Sequence, residues 1–187
     1  MKILLSPAKS LNFKSSLPTD IYTEPCFLKE ANFLNSILKS KNPAQISELM
    51  HISSSLGELN YERFQEWSSN PNKRNARQAI FAFNGDVYKG IDSYTIKNDN
   101  IDFLQNNVRI LSGHYGLLKP LDLIQPHRLE MGTKMSFKSY KNLYDYWKKQ
   151  VSLELNEQLS EDEPVLNLAS NEYFKVIDSK VIDSSIY

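Results

Sequence analysis

Apolar positions in this chain fall into short unbroken runs and into longer stretches spaced three and four residues apart. Ile3-Leu4-Leu5, halted by Ser6-Pro7, reads as a short buried strand that ends in a turn. Lys9 to Asp20 is polar and contains Pro18, which predicts a surface loop. A helix is expected from near Thr23, with Pro25 in its first turn and Phe27, Ala31, Leu34 and Leu38 along one face. Asn42-Pro43-Ala44-Gln45 supplies a cap, a proline at the first position and a glutamine that can reach back, so it opens a second helix. Ile46, Leu49 and Met50 are its buried stripe. Ser53 to Leu59 reads as a turn around Leu56-Gly57, and Asn60 as the cap of a helix that sets Tyr61, Phe64 and Trp67 on one side. Residues 43–67 therefore have the outline of a helix-hairpin-helix element.

Past the polar stretch Ser68 to Asn75, residues 76–83 predict a helix stopped by Gly85, and Asp86 to Gly90 a compact turn or strand fragment. Ile101, Phe103 and Leu104 mark a short helix. Val108 to Gly113 alternates and is β-branched, as a strand requires. Gly116, Pro120 and Pro126 then predict a long structured loop. The longest helix is expected from about Tyr140 to Leu159, with Leu143, Trp147, Val151, Leu155 and Leu159 facing the core. Val165 to Ala169 is a further buried strand. The expected fold is mixed α/β (α+β), a small sheet of few short strands surrounded by many helices, in one domain over residues 1–187.

Composition narrows this picture at a few points. The 22 basic and 22 acidic residues cancel, which excludes a strongly basic coat protein and an acidic disordered tail but says nothing of charge placement. Ten Tyr, nine Phe and two Trp provide ample core material. A single cysteine, Cys26, excludes an internal disulfide framework and any Cys-rich zinc or iron–sulfur site. His51, His114 and His127 stand at no zinc-ligand spacing and read as surface or hydrogen-bonded residues. No cofactor is expected. The apolar run after Met1-Lys2 is too short for a secretory signal or a membrane span, so the expectation is a cytoplasmic protein with no membrane partner.

Three segments combine a strand end, a turn and polar side chains: Ser6 to Ser10, Ser112 to Gly116 running into Asp122, and Ala169 to Tyr173. In open α/β sheets ligands lie outside the carboxyl ends of strands. If the three strands are parallel neighbours, Ser6, Lys9, Ser112, Tyr115, Asn171 and Glu172 can line one pocket, with Asp86, Tyr88 and Arg128 as further candidates. The other reading is a set of ordinary polar turns. There is no phosphate-loop, dinucleotide or nucleophile-elbow signature, so no residue is assigned a catalytic role. Lys73, Arg74 and Arg77 cluster, and the Leu56-Gly57 turn can offer backbone N–H groups to a phosphate; Lys138, Lys141, Lys148 and Lys149 lie on or beside the long helix. Such runs are either a solvated face or a phosphate-contact surface.

Several of these segments, in order, resemble the bacterial peroxide stress protein YaaA family. They are Ser-Pro-Ala-Lys-Ser-Leu at 6–11, Ala-Arg-Gln-Ala-Ile at 76–80, Phe-Asn-Gly-Asp-Val-Tyr-Lys-Gly at 83–90 and Asn-Leu-Ala-Ser-Asn-Glu-Tyr-Phe at 167–174. The most specific is the run from Leu111 to Gly132, Leu-Ser-Gly-His-Tyr-Gly-Leu-Leu-Lys-Pro and onward. The resemblance implies a cytosolic protein of oxidative-stress defence that limits damage from free iron and binds double-stranded DNA by backbone contacts in a basic cleft. It also implies a mixed α/β fold with a helix-hairpin-helix element. Members continue past the Asn-x-Glu-Tyr-Phe segment into a basic stretch, so the expectation is a chain lacking that segment, with weaker DNA binding. The alternative is a small-molecule enzyme acting on a nucleoside-like or phosphorylated substrate at the strand-end pocket. A third reading, direct iron binding, rests on Asp86, Asp122, Glu130 and Glu172.

Overall fold

The computed structural model describes the backbone of residues 1–187 and all side chains except those of Asn98 and Asp99. In chain order the elements are β1 (Lys2–Leu5), α1 (Leu28–Lys39), α2 (Pro43–Met50), α3 (Ser54–Glu66), β2 (Arg77–Gln78), α4 (Ala79–Ala82) and α5 (Asp86–Ile91). There follow α6 (Asn98–Asn107), β3 (Val108–Ser112), β4 (Gly116–Leu118), β5 (Leu123–Ile124), α7 (Leu143–Glu157), β6 (Val165–Asn167) and α8 (Asn171–Phe174). The main sheet has the order β4-β3-β1-β6, and β2 pairs with β5 in a small second sheet. β1 is parallel to both β3 and β6, whereas β4 returns antiparallel to β3.

Alternation along the strands divides the interior into two cores. Leu4, Leu111, Leu117 and Val165 join α1, α2, α3 and α7 in the first; Leu5, Val108, Ile110 and Leu118 join α4 and Tyr88 in the second. A sheet covered on both faces needs apolar residues at successive positions, which explains runs such as Ile3-Leu4-Leu5.

Two helix signals hold as read, the opening of the second helix and the apolar face of the longest one, which runs Leu143–Glu157 rather than from Tyr140 to Leu159. The Asn42 side chain accepts from the Gln45 amide while Gln45 Oε1 accepts from the Asn42 amide, a closed capping box. Asn142 caps α7, whose Leu143, Trp147, Val151 and Leu155 are buried.

Other boundaries differ. α1 starts at Leu28 rather than Thr23, because Thr23 bridges to Asp122 and its hydroxyl donates to that carboxylate at 2.6 Å. α3 starts at Ser54, capped by Ser53, so Gly57 lies inside a helix and not in a turn. Asn60 is no cap; its side-chain amide donates to the Leu56 carbonyl. Residues 76–83, all buried, split into β2 and α4 because Arg77 and Gln78 spend their side chains on carbonyls of the 15–21 loop. Gly85 opens α5 instead of ending a helix, and Asp86 to Gly90 is helical. The expected loop after Gly113 contains β4 and β5.

Gly57 has a packing duty. A Cβ there would stand 1.9 Å from Ser47 Oγ and 2.8 Å from the Pro43 carbonyl oxygen, so α2 and α3 approach only over a bare Cα. Gly57→Ala is expected to cost about 1–3 kcal/mol through overpacking, outweighing the roughly 1 kcal/mol that alanine gains in a helix. Urea denaturation measures the balance; an unchanged or raised midpoint would contradict this account.

Candidate functional site

β1 stands between two parallel neighbours, so the loops leaving β1, β3 and β6 emerge along one edge of the sheet. Ser6 Oγ accepts from the Ser170 amide at 2.9 Å and lies 3.3 Å from Ser170 Oγ, joining the ends of β1 and β6. The Tyr88 hydroxyl donates to the Ser6 carbonyl at 2.8 Å and buttresses the same loop. Glu130 holds two cations: Lys9 Nζ at 3.0 Å and Arg128 Nη2 at 2.7 Å. Glu172 accepts from the Gly132 amide at 2.9 Å.

Of the candidates, Lys9, Ser112 and Arg128 line one notch at this edge, Glu172 lines the cavity beside it, and Ser6 and Tyr88 brace the loop behind them. Ser112 Oγ accepts from the His114 and Tyr115 amides, so it organises the turn. Three candidates lie apart. Tyr115 is fully buried, and its hydroxyl accepts from the Gln125 amide at 2.9 Å, which makes it core. Asp86 is exposed beside Lys89 at 3.7 Å, and Asn171 is exposed at the start of α8. A notch of about 20 Å³ lies among Lys9, Ser112, His127, Arg128, Glu130 and Tyr173. A cavity of about 260 Å³ adjoins it, sharing Glu130 and reaching Lys134 and Glu172.

His127 is hydrogen-bonded, as one of the two expectations has it, but neither it nor His114 is at the surface: the two are buried together. Their rings lie 5.1 Å apart, and Trp67 packs on His114 at 4.6 Å. His127 Nδ1 is 2.8 Å from the Gln125 carbonyl oxygen, which acts as acceptor and leaves Nε2 with the lone pair. Burial pushes its pKa down to about 4, and the Arg63 charge acts in the same direction. Burial also drives His114 well below the usual imidazole range, with His127 adding to the effect. Both rings are neutral at neutral pH. The signal available in the sequence is position: His127 follows Pro126 inside the long recognisable run.

A groove lies beside this edge. Cavities of about 400 and 370 Å³ adjoin, sharing Phe13, Arg63, Glu66 and Pro126; the first reaches Lys14, the second Lys73, Arg74 and Arg77. Sequence reasoning missed Arg63, although it is the one basic residue on an α3 that carries Glu58, Glu62 and Glu66. Arg77 is a strut rather than a free cation, buried and bonded to the Tyr94 hydroxyl at 3.0 Å and the Ser15 carbonyl at 2.6 Å. Lys73 pairs with Asp20 at 2.7 Å and thereby lowers that carboxyl's pKa. Arg74 is exposed, with no ion pair among the described residues. Gly57 faces α2, and its amide is spent on the Ser53 carbonyl, so it offers no N–H to a phosphate. Of the lysines near α7, Lys148 pairs with Asp178 at 3.7 Å, and Lys138 sits over the Phe33 ring.

The four carboxylates of the iron reading are not gathered. Asp122 is buried against the Thr23 hydroxyl and the Lys119 amide, which accounts for its distance in role from Asp86, Glu130 and Glu172. Burial pushes the Asp122 pKa up to about 6. Among the described residues, no group of three or more His, Cys, Asp or Glu could hold a metal ion. Cys26 is exposed, and its thiol lies 3.5 Å from the Leu117 carbonyl oxygen. Among the described residues, no helix is long and apolar enough to cross a membrane.

Comparison with known proteins adds an independent finding. A family model described as peroxide stress protein YaaA matches residues 1–187. A UPF0246 protein of Flavobacterium johnsoniae is 54% identical over 182 residues, covering 97% of this chain and 72% of that protein. A UPF0246 protein of Saccharophagus degradans is 47% identical over 188 residues, covering 100% of this chain and 73% of that protein.

Proposed function

The chain belongs to the peroxide stress protein YaaA family, and on that premise we propose that it serves in the cytoplasm in defence against hydrogen peroxide. It limits iron-driven damage by binding double-stranded DNA through the groove between the 11–17 loop, α3 and the 73–77 segment. The observation that carries the DNA reading is the charge of the groove lining: five cationic side chains against two carboxylates, in a chain whose net charge is zero. Arg77 is spent internally and Lys73 on Asp20, which leaves Lys14, Arg63 and Arg74 to meet phosphates. Phe13 and Trp67 supply apolar walls on which the sugar-phosphate chain can rest. α3, the second helix of the expected hairpin element, contributes a wall through Leu59, Glu62, Arg63 and Glu66 rather than through Gly57.

Such binding must weaken with salt, because each neutralised phosphate releases counterions. For about three contacts, log K is expected to fall with log salt at a slope of roughly −3. Arg74→Glu, at an exposed side chain, is expected to weaken binding of a labelled duplex about tenfold and to flatten that slope by about 1. Fluorescence anisotropy between about 50 and 200 mM salt reads both quantities. Binding that ignores salt, or that survives Lys14→Glu and Arg74→Glu together, would sink the DNA reading. The iron arm is tested separately, by whether the protein lowers nicking of plasmid DNA by ferrous iron and peroxide.

A further inference from the structure

The strand-end notch is not needed by the groove, and its chemistry points to a different ligand. We propose that the notch and the cavity beside it form a binding site for a small hydroxyl-bearing phosphate. That class includes hydrogen phosphate itself and the phosphate monoester of a small polyol, which keeps a free hydroxyl; Lys9 and Arg128 hold the anion, and His127 accepts a hydrogen bond from the hydroxyl.

Four observations converge on this. The site lies outside the carboxyl ends of the parallel strands β1 and β3, where open α/β sheets receive ligands. Lys9 and Arg128 share a single carboxylate, Glu130, so one unit of positive charge is left over. Among the described residues, Arg128 Nε is buried without any hydrogen-bond acceptor, although its Nη2 is engaged. A buried guanidinium donor with nothing to donate to is costly, and the planar fork of arginine suits phosphate oxygens. Finally, His127 lines the notch with its Nδ1 committed to the Gln125 carbonyl, so the nitrogen left for a ligand is an acceptor.

That last point sets the specificity. An acceptor beside two cations rejects a fully deprotonated anion and favours one that carries a hydrogen. Hydrogen phosphate has such a hydrogen at neutral pH, while sulfate and a DNA phosphodiester do not. The notch by itself, about 20 Å³, has room for little more than one water, so a phosphate is admitted only when Glu130, the wall shared with the neighbouring cavity of about 260 Å³, moves and joins the two. Glu130 occupies the anion position in the absence of ligand and has to swing aside on binding.

Titration calorimetry of the full chain at neutral pH, with inorganic phosphate and with sulfate, tests the site. Phosphate is expected to bind about tenfold more tightly than sulfate. Glu130→Gln should tighten phosphate binding by removing the competing carboxylate, a result that a merely structural ion pair would not produce. Lys9→Gln, at a side chain 66% exposed, should weaken binding about tenfold without disturbing the fold. His127→Gln should abolish the preference for phosphate over sulfate. Absence of phosphate binding by both the parent and Glu130→Gln would overturn the proposal, as would unchanged affinity in Lys9→Gln. Arg74→Glu separates the two sites: phosphate binding should persist while duplex binding falls, and its loss would assign the phosphate to the groove instead.

Discussion

Trp147→Ala is expected to lower the stability of this protein by about 3–5 kcal/mol, a large share of what a domain of this size possesses. The indole is fully buried, and its Nε1 donates to the Gly113 carbonyl at 2.9 Å. It lies flat over Gly116, where a Cβ would come within 2.7 Å and 2.8 Å of ring carbons. It also packs against Phe27 and Tyr146 at centroid distances of 5.6 and 4.7 Å. Truncation therefore opens a cavity beneath the β3–β4 turn and strands a buried carbonyl. Gly116→Ala should destabilise from the opposite side, by collision with the ring and by strain at φ +70. The two glycines of the recognisable Leu-Ser-Gly-His-Tyr-Gly run are thus explained by packing: a Cβ on Gly113 would lie 2.3 Å from the Leu129 carbonyl oxygen. Urea midpoints of the variants decide the matter. A Trp147→Ala protein within about 1 kcal/mol of the parent would show that this contact is not what holds the turn.

Acid is expected to unfold the protein earlier than its carboxylates alone would dictate. His127 is held neutral down to about pH 4 in the folded chain, whereas in the unfolded chain it takes up a proton near 6.5. As pH falls through that interval the unfolded state binds more protons than the folded one, so stability drops. For His127 the full loss is about 3 kcal/mol. His114, wholly buried, acts in the same direction. Asp122 opposes them: its folded pKa is raised to about 6, so from pH 6 towards 4 the folded state binds more protons and gains stability. Two imidazoles outweigh one carboxylate, and the net result is a fall in stability from neutral pH to about pH 4.5. Asp122→Asn removes the opposing contribution and should steepen the fall. Urea unfolding at the two pH values measures it; a stability that is flat or rises on acidification would refute the assignment of both rings as neutral and buried.

Local signals were legible where the chain's own atoms satisfy its backbone. The Asn42–Gln45 capping box and the four-residue apolar step of α7 depend on neighbours within one or two helical turns. The α3 start was misread because Ser53 and Gly57 look like a turn, and only the approach of α2 explains a glycine inside a helix. The 76–83 stretch was misread because every residue in it is buried, which erases the periodicity on which helix and strand are distinguished. Thr23 has the chemistry of a cap, but Asp122, distant in sequence, claims its hydroxyl.

The candidate site divides along the same line. Ser6, Lys9, Ser112 and Glu172 could be named from strand ends and polar turns, because strand polarity and turn chemistry are written locally. By itself the sequence also determined the family, through ordered motifs spread along the whole chain, and a charge balance of zero. Only the tertiary structure decided that Arg77 is a strut and Arg74 a free cation, since the two differ in burial and partners and not in chemistry. Only it brought His127 beside Lys9 and Ser112 with its Nδ1 committed to a carbonyl. The physical reason is that the proton position on an imidazole, like the freedom of a guanidinium, is set by the acceptors packed around it, and packing joins residues that the sequence holds apart.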